Sequence, residues 1–119
     1  MLGALVAGAL AVHEAAAYLA TNGTTLVDLA AGGAPVKLAC ANWYGLDQQD
    51  YVMGGLQFVS PQAVAAQIRA AGFNCVRLPF SVEIVLSNPP IAARAVTAYP
   101  PLQGKKGMDA FDVAVEVLT

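Results

Sequence analysis

One guanidinium stands out as a group that could do chemistry. It lies in Gly72-Phe73-Asn74-Cys75-Val76-Arg77-Leu78-Pro79-Phe80-Ser81. The stretch reads as the end of a helix, a tight turn and a short buried strand over 74–78, stopped by Pro79. A charge inside an apolar strand is costly to bury unless something pairs with it. Arg77 is therefore read as a working residue that meets an anion at the C-terminal end of its strand. Glu83 is the one carboxylate near that strand end. A single carboxylate does not make the acid/base pair that hydrolytic chemistry needs, so Glu83 is read as bordering a cleft or pairing with a base. Asp47 and Asp50 are read as loop solvation, and Lys105 and Lys106 as surface charge.

Other chemistries find little support. One histidine and two cysteines form no metal-ligand cluster. Gly104-Lys105-Lys106-Gly107 lacks the spacing of a phosphate-binding loop. The net charge of −2 leaves no basic footprint for nucleic acid. The six basic residues are dispersed and make no polybasic membrane patch. No cofactor and no obligate protein partner is indicated. Cys40 and Cys75 permit one disulfide, but neighbouring parallel strands are poor disulfide partners, so two buried free thiols are expected.

The elements that must position Arg77 follow from punctuation. Asn22-Gly23 and Ala31-Gly32-Gly33-Ala34-Pro35 mark two turns around a β-prone run at 24–29, a small hairpin ahead of the main fold. Residues 36–41 form a short apolar run, read as a buried strand that ends in Asn42-Trp43-Tyr44-Gly45. A polar loop is expected over 46–59. Ser60-Pro61 then opens a helix with an N-cap and a first-position proline. Val64 and Ile68 make its buried stripe, and Gly72 ends it. Strand, helix and strand make one parallel, right-handed βαβ unit. A proline-rich connection over 87–107 leads to a second helix at 108–118. Phe111, Val115 and Leu118 form its apolar side, and Asp109 favours its first turn. No third strand follows.

The chain has 119 residues, of which 57% are hydrophobic and 12% charged, against roughly 25% charged in a typical domain. Two sources account for this. One is a set of elements buried on both faces, as in a parallel α/β sheet. The other is residues 1–17, where an apolar run over 2–12 precedes Ala15-Ala16-Ala17. The run is too short to span a bilayer and fits a secretory signal peptide, which favours a secreted protein. An alanine-rich helix is the other reading of that segment.

The block Val36-Lys37-Leu38-Ala39-Cys40-Ala41-Asn42-Trp43-Tyr44-Gly45, followed at its spacing by Gly72 to Ser81, resembles glycoside hydrolase family 5, the cellulase-type (β/α)8 barrels. Gly54-Gly55-Leu56, Ser60-Pro61, Pro101-Leu102-Gln103-Gly104 and Asp112 are similar to that family too. The resemblance covers residues 18–119. Cys40 and Cys75 depart from the family's usual Gly and Thr. The implied fold class is α/β, the N-terminal portion of a TIM barrel. The implied activity is retaining hydrolysis of a β-linked oligo- or polysaccharide by two glutamates about 5–5.5 Å apart. Those glutamates are expected on the fourth and seventh strands, beyond this chain, so the chain alone is expected to be inactive and marginally stable. Arg77 matches the family's active-site arginine, which holds the nucleophile ionised and oriented. Trp43 is expected to line the sugar cleft, with Asn42 supporting it. A short non-enzymatic remnant that binds glycan weakly through Trp43 and Tyr44 is the alternative.

Overall fold

A computed structural model describes residues 18–119, and the expected leader at 1–17 lies outside them. The chain divides into two compact units, one up to Lys37 and the other Leu38–Thr119.

The first unit is a three-stranded antiparallel sheet. Strand β1 (Leu19–Asn22) pairs with β2 (Thr25–Asp28), and Asn22 faces Thr25 across a two-residue loop. Gly23 takes a φ of 61° at the first loop position, where such hairpins want a glycine. The Asp28 carboxylate accepts the Ala30 N–H at 2.9 Å and caps a short 3-10 turn, Leu29–Ala31. Gly32 and Gly33 then reverse the chain so that β3 (Ala34–Pro35) joins β2. This two-residue third strand goes beyond the expected hairpin.

The second unit contains the expected βαβ. Strands β4 (Cys40–Asn42) and β5 (Cys75–Arg77) are parallel, with Cys40 opposite Cys75, Ala41 opposite Val76 and Asn42 opposite Arg77. Both are shorter than their apolar runs suggested. Asn74 lies just outside the ladder but extends it, since its side chain accepts the Ala39 N–H at 2.8 Å.

Helix α1 (Pro61–Ala70) links the two strands. Ser60 Oγ accepts the Ala63 N–H at 3.2 Å, as its N-cap position requires. At the other end Gly72 adopts a φ of 90°. Its N–H reaches the Arg69 carbonyl, and the Phe73 N–H reaches that of Ile68. These two bonds are a Schellman closure, which satisfies carbonyls the helix leaves open. Val64 and Ile68 are half-buried against the core, beside fully enclosed Ala65.

The expected polar loop at 46–59 is instead the centre of this unit. Leu46, Val52, Met53 and Leu56 are almost completely buried, while Asp47, Gln48 and Gln49 between them face water. Enclosing each such apolar side chain contributes about 1.5–3 kcal/mol. The segment folds back on the strand end, with Gly54 N–H donating to the Tyr44 carbonyl at 2.9 Å. Gly45 makes the return possible. Its φ is 136°, and a Cβ there would collide with the Val52 carbonyl and come within 2.8 Å of Gly54 N.

Further elements stand where a plain connection was expected. Ser81 caps a short helix α2 (Val82–Ser87) by accepting the Ile84 N–H at 3.2 Å, and Asn88 ends it in the left-handed region. Two 3-10 turns, Ala93–Val96 and Pro100–Leu102, deliver Val96 and Leu102 to the core. Helix α3 (Gly107–Leu118) starts with the Lys106 N–H donating to the Asp109 carboxylate at 2.8 Å. Its buried line is Gly107, Ala110 and Ala114 rather than Phe111, Val115 and Leu118. Val115 is exposed, and the other two are half-buried. Small residues let α3 close onto Ile84 of α2, where a side chain at Gly107 would have no room.

The cysteine expectation is overturned. Cys40 and Cys75 are joined as a disulfide, with Cα atoms 4.2 Å apart, and no free thiol remains among the described residues. They are register partners at the open end of a two-stranded ladder, so their side chains meet directly. Neither is buried: Cys40 is exposed and Cys75 half-buried. The architecture is mixed α/β, and no barrel closes among the described residues.

Candidate functional site

The C-terminal ends of β4 and β5 bring Asn42 and Arg77 side by side as the last register pair. The chain then stays attached, because the Trp43 N–H donates to the Arg77 carbonyl at 3.0 Å. Arg77 is exposed, which corrects the expectation of a buried charge. Burial of a strand residue depends on neighbouring strands, and β5 has one neighbour here. Among the described residues no carboxylate lies within ion-pairing distance of Arg77.

Trp43 is a core residue with 5% of its surface exposed. Its indole N–H donates to the Gly54 carbonyl at 2.9 Å, which pins the folded-back segment to the strand end. A sugar platform needs an open ring face, and in this structure Trp43 presents none. The next residue does: Tyr44 is 63% exposed. It borders a shallow recess of about 120 Å³ floored by Gly45 and Gly54 and edged by Gln48, Asp50 and Gln57. A larger groove of about 330 Å³ runs beside β5, lined by Ile68, Phe73, Val76 and Leu118 among others, and includes neither Asn42 nor Arg77.

Two ordered carboxylates flank the strand ends. Asp47 accepts the Gly45 N–H at 3.2 Å and the Gln48 side-chain amide at 3.3 Å. The Gly45 bond is the main reason its carboxyl is held below the usual range, and the Arg77 charge adds a smaller pull. Glu83 lies in the first turn of α2. Its pull on the Tyr51 hydroxyl proton, with burial and the carboxylate charge, pushes the Tyr51 phenol above its ordinary value. Tyr51 itself takes a φ of 54°, uncommon for a bulky residue.

The remaining carboxylates among the described residues are occupied elsewhere or face water. Asp50 is not merely solvated, since it forms an ion pair with Arg94 at 2.5 Å. Asp28 and Asp109 cap helical turns, while Asp112 and Glu116 are exposed on α3. Sequence reasoning missed the Tyr51–Glu83 and Asp50–Arg94 links. Each joins the 46–56 segment to a distant element, and no local spacing signals such a pairing. Among the described residues no group of His, Cys, Asp and Glu could hold a metal ion, and no helix is long and apolar enough to cross a membrane.

No family model matches the chain. Curated relatives do. A glycosyl hydrolase 5 family protein of Chamaecyparis obtusa is 42% identical over 67 residues, 56% of this chain and 12% of that protein. The major extracellular endoglucanase of Xanthomonas campestris pv. campestris is 30% identical over 107 residues, 90% of this chain and 22% of that protein. Among solved structures, the catalytic domain of the Xanthomonas enzyme superposes with a TM-score of 0.72 at 28% identity, covering 85% of this chain and 29% of that one. An endocellulase from Pyrococcus horikoshii, solved in complex with cellotetraose, gives 0.72 at 25% identity, covering 86% of this chain and 28% of that one. The chain thus spans 12–22% of the length of these curated relatives. In sequence and in fold alike, the family it resembles is glycoside hydrolase family 5, matched over a portion of the endoglucanases' length.

Proposed function

We propose that this chain supplies the first strand ends of a TIM-barrel active site that hydrolyses β-linked glucan with retention, in a secreted enzyme. The observation that carries the reading is the parallel Asn42–Arg77 pair at the C-terminal ends of β4 and β5. In barrel enzymes of this kind the chemistry takes place at that face. Arg77 is exposed there, with no carboxylate paired to it among the described residues. Its role is to position a nucleophilic glutamate from outside the described residues. Two charge-assisted hydrogen bonds would aim that carboxylate and keep it ionised. Asn42 would border the first sugar. Trp43 would support this end of the site from beneath, and Tyr44 would offer the open ring. The relatives' endoglucanase names and the cellotetraose in a neighbour support a β-glucan chain as substrate. No cofactor is required.

Residues 18–119 by themselves are proposed to be inactive, because retaining hydrolysis needs two close carboxyl groups and the glutamates expected on the fourth and seventh strands are not among them. The test compares residues 18–119 with the longest natural polypeptide that contains them, using cellotetraose and reading the anomer of the product. The longer chain should release a product of retained configuration, and the shorter chain none. Cleavage by residues 18–119 alone, or an inverted product, would refute the reading.

A further inference from the structure

Asn22-Gly23-Thr24 has the residue pattern of an N-glycosylation acceptor, asparagine followed two places later by threonine. The other asparagines do not: Asn42, Asn74 and Asn88 are followed at that distance by Tyr44, Val76 and Pro90. The fold places the triplet at a hairpin tip. Asn22 is the last residue of β1, and Gly23 and Thr24 form the loop. All three are exposed, and the space beside Gly23 is open. The Asn22 side-chain amide makes no hydrogen bond with any described residue, so substitution at its nitrogen would break nothing. Asn22 shares a sheet face with Ala20 and the buried Val27, but it lies two register pairs further out, at the hairpin end.

We propose that Asn22 is an N-glycan acceptor. The inference rests on residues 1–17 acting as a secretory leader. The donor is a lipid-pyrophosphate-linked oligosaccharide, the co-substrate class of that transfer. A bond forms between Asn22 Nδ2 and the anomeric carbon of the first sugar. The bond from that carbon to the pyrophosphate oxygen breaks, and the amide proton leaves with the pyrophosphate. No oxidation or reduction occurs. The consequence for this fold is specific, because β1 is an edge strand of its sheet. A bulky polar group on its last residue would obstruct pairing with the edge of another chain.

The test is translation of Met1–Thr119 with endoplasmic-reticulum microsomes, where transfer to the emerging chain does not depend on stable folding. The chain should gain the mass of one glycan, lost on peptide-N-glycosidase treatment with conversion of Asn22 to aspartate. Both Asn22→Gln and Thr24→Ala should abolish the gain, and Thr24→Ser should keep it at reduced occupancy. A second version carries a proven signal peptide in place of residues 1–17. A glycan on that version alone would uphold the acceptor and locate the failure in the leader. Absence of a glycan from both versions, or its persistence in Thr24→Ala, would overturn the proposal.

Discussion

The segment from Leu46 to Leu56 and the ends of β4 and β5 are adjacent in the chain yet opposite in character. In the first, apolar side chains are enclosed and the Trp43 indole has its partner. In the second, Arg77 projects outward with no ion pair among the described residues. Among the described residues the first region has its partners in place, and Arg77 in the second has no carboxylate paired with it. Residues that serve stability should therefore separate cleanly from the residue proposed to serve chemistry.

The largest stability effect should come from the enclosed region. Leu56→Ala is expected to cost about 2–5 kcal/mol, read as a lower urea midpoint. Gly45→Ala should cost about 2–4 kcal/mol, combining a φ of 136° with a blocked Cβ. An unchanged midpoint in either would show that the segment is not the core. Opening the Cys40–Cys75 link, which joins positions 35 apart in sequence, should cost about 2–4 kcal/mol. Comparing oxidised and reduced protein by protease resistance measures this, and equal resistance would contradict it. Trp43→Phe removes the bond to Gly54 and should cost about 1 kcal/mol. Arg77→Ala should alter the urea midpoint least, by at most about 0.5 kcal/mol, because the side chain is exposed.

The pH dependence should be smaller still, and its sign follows from the two shifted groups. Tyr51 is raised by Glu83, so its contribution is present below the ordinary tyrosine range and lost as pH rises through the folded value. Asp47 is lowered mainly by the Gly45 N–H. Its contribution is present above the ordinary carboxylate range and lost as pH falls through the folded value. Glu83→Gln should remove most of the alkaline sensitivity, and a spectroscopic titration of Tyr51 unchanged by that substitution would disprove the link.

What could be read from the residues alone was what is encoded locally. Ser60-Pro61 and Gly72 bracket α1 because capping depends on a few consecutive residues. Asn22-Gly23 marked the hairpin for the same reason, although Gly23 rather than the Asn-Gly pair occupies the loop. The parallel βαβ order followed from the alternation of apolar runs. What could not be read depends on distant partners. Leu46, Val52, Met53 and Leu56 sit at helix-like spacings, yet the segment is a series of turns rather than a helix, and the polar residues and glycines between them dominated the reading. Helix α2 is too short to show a period. The disulfide depended on register, which places Cys40 opposite Cys75 only once both strands are aligned. Within the candidate site the strand-end location of Arg77 was legible. Its exposure and the burial of Trp43 were not, because each is set by what neighbours it in space.

The central claim is that Arg77 positions a carboxylate rather than holding the fold together. Its most direct test is the pH–rate profile of β-glucan hydrolysis by the longest natural polypeptide carrying these residues, compared with its Arg77→Ala and Arg77→Lys variants. The account predicts a fall in kcat of roughly 10- to 100-fold for Arg77→Ala, with KM little changed. It also predicts an acid limb displaced to higher pH, because the nucleophile loses the cation that keeps it ionised, and partial recovery in Arg77→Lys. A wild-type kcat and an unmoved acid limb in Arg77→Ala would contradict it.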